Sequence, residues 1–231
     1  MVKLSRSKID LFLNCPRCFW LDVKHGVKRP PPAPYTINSA IDYLLKQEFD
    51  VYREKSKAHP IMTKAGIDAV PYKSEYLNAW RHNFTGVRFH HEPTDFLVFG
   101  AVDDVWVNPH GELMVVDYKA TGANEHKIHE SYPRQMEIYQ WLLVQNGYKV
   151  SPTGYFVFAR VNKANGFSPP AGGEPVLSFN IFVEPYNGDY GWLPGTLTRA
   201  KEVLNGKSAP EPGADCEYCK YRRSAGEAAR N

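Results

Sequence analysis

No run of apolar residues in this chain approaches the roughly 20 that a membrane-spanning helix requires. No glycine-rich phosphate loop, serine nucleophile elbow or dinucleotide-binding fingerprint occurs in its 231 residues, which argues against a P-loop ATPase, an α/β-hydrolase or a Rossmann enzyme. Internal repeats and low-complexity tracts are also missing, and nothing in the composition points to disorder, collagen or a coiled coil. Charge of one sign is scarce: 28 basic against 25 acidic residues leave a net charge of +3, which permits a nucleic-acid partner without arguing for one. The N-terminal MVKLSRSKIDLFLNCPRC offers basic residues and an apolar run. However, Asp10 and Asn14 interrupt that run and no small-residue cleavage site follows, so it does not read as a signal peptide. A soluble, cytoplasmic chain with reduced thiols is expected.

What is present reads as one α/β domain over residues 1–231, with 43% hydrophobic and 13% aromatic residues to build its core. Residues 5–24 read as a helix capped by Ser5 or Ser7, and RPPPAPYT (29–36) as a stiff proline-rich link. In NSAIDYLLKQEFDVYREKS, Ile41, Leu44, Leu45, Phe49 and Tyr52 share one helical arc, with Asn38 or Ser39 marking the start. Residues 56–92 are less readable, apart from a possible helix around SEYLNAWRHNF. DFLVFGAVDDVWV and ELMVVDYKA then read as two strands joined by the turn NPHG. The remainder reads as a helix in RQMEIYQWLLVQNGY ended by Gly147, strands in TGYFVFARV and VLSFNIFV, a helix in YGWLPGTLTRAKEVL and a short C-terminal knot in CEYCKYRR.

The turn fixes the hairpin's register. Asn108, Pro109, His110 and Gly111 fit a type I turn closed by a left-handed glycine, so Asn108 faces Glu112. Counting back, Asp103 stands opposite Asp117 and Ala101 opposite Lys119. Two like charges directly opposed across a strand pair destabilise it unless something cationic sits between them, and a divalent metal would do so.

An acid on one strand, then acid-x-Lys on its hairpin partner, then a helix with Gln135 and Tyr139 four apart, resembles the PD-(D/E)XK nuclease superfamily. Within it, the likeness is to the RecB-like group that includes CRISPR-associated exonucleases with a cysteine-bound cluster. GAVD (100–103), DYK (117–119), QMEIY (135–139) and the Cys-Pro at the end of LSRSKIDLFLNCPRCFW carry the resemblance. It implies a restriction-endonuclease-like fold, with a mixed central sheet flanked by helices and an αβββαβ core. It also implies a Mg²⁺- or Mn²⁺-dependent deoxyribonuclease, exonuclease-like, in repair, recombination or CRISPR-type processing. Asp103, Asp117 and the Tyr118 carbonyl would hold the metal, Lys119 would orient the attacking water, and Gln135 and Tyr139 would lie beside them. The further helix-borne ligand falls at Asp42, where the family commonly has His. Ser39-x-x-Asp42 also reads as a capping box, and Glu48, in the middle of the apolar arc, is the reserve ligand.

Cys15, Cys18, Cys216 and Cys219 form two CxxC pairs, the number of thiolates that either a 4Fe-4S cluster or Zn²⁺ requires. Relatives with a cluster mostly use one early and three late cysteines, whereas this chain has two and two. A metal there would staple the first helix to the last segment. Lys24, Lys28, Arg29, Arg134 and Arg160 are candidates to line a path for DNA, as single strands or ends. His90, His91, His126 and His129 show no convincing partners. The alternative is a non-catalytic nucleic-acid-binding or assembly subunit of a larger repair or CRISPR complex.

Overall fold

The computed structural model describes residues 1–164, 166, 168 and 173–230. Its elements in chain order are β1 (Val2–Ser5), α1 (Arg6–Asn14), α2 (Pro16–His25), α3 (Thr36–Glu54), α4 (Pro60–Lys64), β2 (Val70–Pro71), α5 (Leu77–Arg81) and β3 (Val87–His91). They continue as β4 (Phe96–Gly100), β5 (Asp104–Val107), β6 (Leu113–Thr121), α6 (Ser131–Gln145), β7 (Thr153–Val161), β8 (Phe179–Asn187), α7 (Leu193–Asn205) and α8 (Glu217–Ala228). The chain divides into two compact units. One comprises Met1–Ala33, Arg88–Phe99 and Gly191–Asn231; the other comprises Pro34–Val87 and Gly100–Tyr190.

The second unit is built on a five-stranded sheet of order β2-β5-β6-β7-β8, parallel only between β6 and β7. With α3 ahead of it and α6 as the crossover between the parallel strands, the run α3–β2–β5–β6–α6–β7 is the expected αβββαβ core. Strand β6 is buried from Leu113 through Tyr118, which is why its sequence is an apolar run rather than an alternation. Ile41, Leu45 and Phe49 of α3 pack with Trp106, Met114, Val116 and Val157 in one cluster; each such side chain contributes roughly 1.5–3 kcal/mol by leaving water. The arc is narrower than the sequence implies, because Leu44 is exposed.

The first unit holds a three-stranded sheet of order β1-β4-β3, with β1 parallel to β4. In α1 and α2, Phe12 and Phe19 meet edge to face with ring centroids 5.2 Å apart.

Several sequence readings change. The helix over 5–24 is two helices. Cys15 is extended (φ −159°, ψ 104°) and Pro16 opens α2, because a proline nitrogen cannot donate to the carbonyl four residues back. Ser5 caps α1, accepting from the Lys8 N–H at 3.4 Å. Helix α3 starts at Thr36 with no side-chain cap, so Ser39 and Asp42 form no capping box. DFLVFGAVDDVWV breaks into β4 and β5: the Val102 N–H bonds the Trp80 carbonyl (3.1 Å) and the Asp103 carbonyl accepts from Arg81 Nε (3.0 Å), drawing both out of a ladder. The C-terminal knot is the helix α8.

Candidate active site and cysteine cluster

The hairpin closes as the turn chemistry demands. Asn108 N–H donates to the Glu112 carbonyl (3.1 Å), and Gly111 sits at φ +73°. Asp104 pairs with Val116 and Val105 with Val115, where the ladder ends; Asp103 lies just beyond it, with its carboxylate close enough to act on that of Asp117. The Asp103 carboxylate accepts the Tyr118 N–H at 3.0 Å. Asp117 is fully buried; its Oδ1 accepts from Gln135 Nε2 at 2.6 Å while its Oδ2 faces the Lys119 ammonium.

Helix α6 supplies the wall. Gln135 Oε1 receives Lys119 Nζ at 3.4 Å, and Gln135 Nε2 also lies 3.2 Å from the Tyr139 hydroxyl. Four residues apart on one helix, Gln135 and Tyr139 reach the same spot. Tyr132, one turn earlier, places its ring 4.6 Å from Lys119 Nζ. Burial, and then the neighbouring Asp103 charge, push the Asp117 carboxyl up to about 7, against the opposite pull of Lys119.

Asp42 enters this group through a residue the sequence reading missed. Lys46 reaches Asp42 at 2.7 Å and Asp103 at 3.2 Å. Its signal was the i,i+4 spacing from Asp42 on an established helix. Burial and the Asp103 charge raise the Asp42 carboxyl, with Lys46 opposing. Glu48 stands apart: its side chain is 58% exposed and its partner is His59 at 2.8 Å, rather than Lys119 or an arginine. Three other histidines also have partners that sequence did not reveal. His126 meets Glu184 at 2.9 Å, His90 meets Asp95 at 3.0 Å, and His91 meets Thr94 at 2.8 Å.

Behind Asp103 lies a second network. Asp104, fully buried, is met by Arg53 Nη2 at 2.5 Å, Arg81 Nη2 at 3.1 Å and the Tyr118 hydroxyl at 2.6 Å. Arg81 also binds Asp50 at 2.8 Å and the Asp103 carbonyl. The backbone that presents Asp103 is therefore held from below by a neutralised cluster.

The donors fit a hard divalent ion. Asp103 and Asp117 crowd negative charge that such an ion relieves, and Mg²⁺ commonly takes one or two carboxylates plus water and substrate phosphate. Asp42 does not complete a three-ligand set. Among the described residues, the four cysteines form the one group of three or more metal-ligating side chains in mutual reach.

In that group all four Sγ atoms lie within 4.8 Å of one another, with Cys18 3.6 Å from both Cys216 and Cys219 and Cys15 3.8 Å from Cys219. Gly213 lets the C-terminal segment approach. A Cβ there would lie 2.2 Å from the Asn14 carbonyl oxygen, and its N–H donates to Cys15 Sγ at 3.3 Å. Burial pushes the Cys219 thiol up to about 12. Cys15 falls to about 6, because N–H donors from Gly213 and Cys18 outweigh its burial. The four sulfurs are crowded, and a bound cation would hold them together as thiolates. Arg29 adds a fixed charge, 3.2 Å from Cys216 Sγ and 4.6 Å over the Tyr218 ring.

Of the basic residues expected along a DNA path, three are engaged internally. Lys24 holds the Leu204 and Gly206 carbonyls at the end of α7 (2.8 and 2.6 Å), Arg29 holds the cysteines, and Arg160 binds the Asn124 carbonyl (3.0 Å) and covers Phe182. Lys28 is exposed and Arg134 half-buried. No helix among the described residues is long and apolar enough to cross a membrane.

A mixed sheet with a parallel αβ crossover, two interacting aspartates at the end of its antiparallel hairpin and a lysine beside the second of them defines a nuclease-type α/β protein. The chain belongs to the PD-(D/E)XK nuclease superfamily, whose family profile matches residues 3–224. A solved structure described as "Crystal structure of SSO0001" is similar at 13% identity, with 94% of this chain and 82% of that one covered and a TM-score of 0.45. No curated protein matches the chain significantly.

Proposed function

We propose that this chain is a divalent-metal-dependent nuclease that hydrolyses DNA phosphodiester bonds, acting exonuclease-like on ends or single strands. The observation that carries the reading is the convergence of Asp103, Asp117 and Lys119 at one end of the β5–β6 hairpin, with Gln135 bonded to both Asp117 and Lys119. Bound there, Mg²⁺ or Mn²⁺ supplies a Lewis acid for the scissile phosphate and a bound water of lowered pKa. Asp103 and Asp117 are the carboxylates to hold it. Tyr118 fixes Asp103 through its N–H, which supports a role for its own carbonyl as a further ligand, and Asp42 stands behind as an outer carboxylate. Lys119 meets negative charge growing at phosphorus or orients the water, while Gln135 and Tyr139 hold Lys119 and Asp117 in place. Beside Lys119 opens a cavity of about 500 Å³ lined by Thr121, Asn124, His126, His129 and Tyr132, room for a strand's backbone. Repair, recombination or CRISPR-type processing is the setting such chemistry serves, in the cytoplasm and alongside a partner protein.

At the cysteines the spacing favours one metal ion. Tetrahedral Zn²⁺ with bonds of about 2.3 Å sets its sulfurs about 3.8 Å apart; three thiol pairs here stand 3.6 to 3.8 Å apart and all four sulfurs lie within 4.8 Å of one another. In a 4Fe-4S cluster each thiolate binds a different iron, which spreads the four sulfurs further. A colourless preparation with one zinc per chain supports the first reading; a brown one supports the cluster.

Purified protein incubated with end-labelled single- and double-stranded DNA is expected to cleave in Mg²⁺ or Mn²⁺ and not in EDTA. Equal residual cleavage by wild type and Asp117→Ala would rule the catalytic reading out. The second reading, a non-catalytic nucleic-acid-binding subunit, draws on Lys46, whose ammonium already stands between Asp42 and Asp103. It predicts no cleavage in either metal.

A further inference from the structure

We propose that Arg29 is the counterion of the cysteine centre: its guanidinium offsets the charge of the metal-bound thiolates and fastens the start of the proline-rich link to the occupied centre. Every residue involved lies in the first unit. Of residues 24–33, Arg29 alone is not exposed. Its Nη2 reaches Cys216 Sγ at 3.2 Å and Asn14 Oδ1 at 2.7 Å, and its guanidinium carbon lies 4.6 Å from the centre of the Tyr218 ring. Its Nε is buried without a hydrogen-bond partner. Among the described residues no carboxylate pairs with this charge.

A cation that has given up water needs an anion in exchange. Asn14 is neutral, and a thiol is a weak acceptor. Once metal binds, the same sulfurs are thiolates, and a hydrogen bond from a charged donor to a charged acceptor is about twice as strong as one between neutral groups. Four thiolates outnumber the charge of Zn²⁺ by about two, an excess that a fixed cation at Cys216 reduces. Burial opposes the guanidinium's charge, yet Cys18 and Cys216 raise it above its ordinary value. Arginine suits the place, because its flat face lies on the Tyr218 ring while its edge meets Asn14 and the sulfur.

The coupling runs both ways: what the metal adds to the hold on Arg29, Arg29 adds to the hold on the metal. Among the described residues, 28–33 make no hydrogen bonds besides these two, and Pro30, Pro31 and Pro32 have no N–H to give. The start of the link is therefore held at one side chain, whose strongest partner forms only when metal is bound.

The proposal rests on the reading of the cysteines as a metal centre, and its test is independent of cleavage. Full-length protein is stripped and reloaded with Zn²⁺ in competition with a chromophoric chelator, and separately with Co²⁺ for its sulfur-to-metal charge-transfer band. R29Q should weaken Zn²⁺ binding about 10- to 100-fold. It should also move the Co²⁺ band to longer wavelength, because sulfurs that lose a neighbouring cation give up electrons more readily. R29K should recover part of both effects, and K28Q, which removes the same charge one residue away, should change neither. In Zn²⁺-saturated protein, tryptic cleavage after Lys28, followed by mass spectrometry, should run several times faster in R29Q than in wild type. In a preparation that carries a 4Fe-4S cluster, R29Q should lower the reduction potential instead.

Equal Zn²⁺ affinity with an unmoved Co²⁺ band, or an unchanged potential in the cluster form, would overturn the counterion role. R29K no better than R29Q would overturn charge as its cause, and equal cleavage after Lys28 would overturn the fastening. If R29Q does not fold, N14A decides: it loosens the guanidinium while keeping its charge and should weaken Zn²⁺ binding about 2- to 10-fold, and no change overturns the proposal. Wild type that takes up neither zinc nor iron sinks the metal reading and this one together, whereas tight metal binding indifferent to Arg29 sinks this one alone.

Discussion

Asp103 and Asp104 are chain neighbours with opposite fates, and the pleat decides which is which. One points toward Asp117 and Lys46; the other points into a buried set of Arg53, Arg81 and Tyr118 that neutralises it. Removing Asp104 strands two arginines, so Asp104→Ala should destabilise the protein by about 3–5 kcal/mol in urea unfolding. Asp117→Asn should instead abolish cleavage while the protein stays folded. The raised Asp117 carboxyl, at about 7, also sets two pH trends. Metal-free protein holds a proton there that the unfolded chain releases near its ordinary value, so this residue's contribution to stability is present at low pH and lost as pH rises from about 4 through 7. Asp117→Asn should flatten that part of the stability profile. Metal must displace the same proton, so Mg²⁺ affinity, read by calorimetry, should climb up to about tenfold per pH unit below 7 and level off above it.

Among elements, hairpin and helix α6 were legible in sequence for a local reason. Turn residues at 108–111 dictate register, and helical spacing places Gln135 and Tyr139 together whatever surrounds them. Lys46 was hidden because its partner Asp103 lies across the fold, although Asp42 sits four residues away. Its ammonium competes with a metal for Asp103. Lys46→Ala should therefore tighten Mg²⁺ binding about 3- to 10-fold, measured in the absence of DNA. The strand break at 101–103 was illegible for the same reason: the groups that capture it, the Trp80 carbonyl and the Arg81 side chain, belong to α5 in the stretch whose pattern was weakest. Glu48 shows the converse error. A helical wheel put it among apolar residues, but the buried arc is narrower than the wheel and His59, which caps α4, supplies its partner.

On the scale of the whole molecule, the two CxxC pairs, nearly the full chain apart, form one cluster within the first unit. Cys18→Ser should release the metal and lower the melting temperature, and Gly213→Ala should do the same without touching a sulfur, because its Cβ would collide with the Asn14 carbonyl. Metal per chain by elemental analysis checks both. By itself the sequence determined the αβββαβ core, the hairpin register as far as Asp104 and Val116 and the residues of the cysteine set, since apolar periodicity, turn chemistry and ligand spacing are properties of neighbouring residues. Only the tertiary structure decided that Lys46 stands among the carboxylates and that Asp104 is neutralised while Asp117 is left desolvated. Those outcomes depend on which groups distant segments bring within a few ångströms and on how much water they exclude, and no local pattern encodes either.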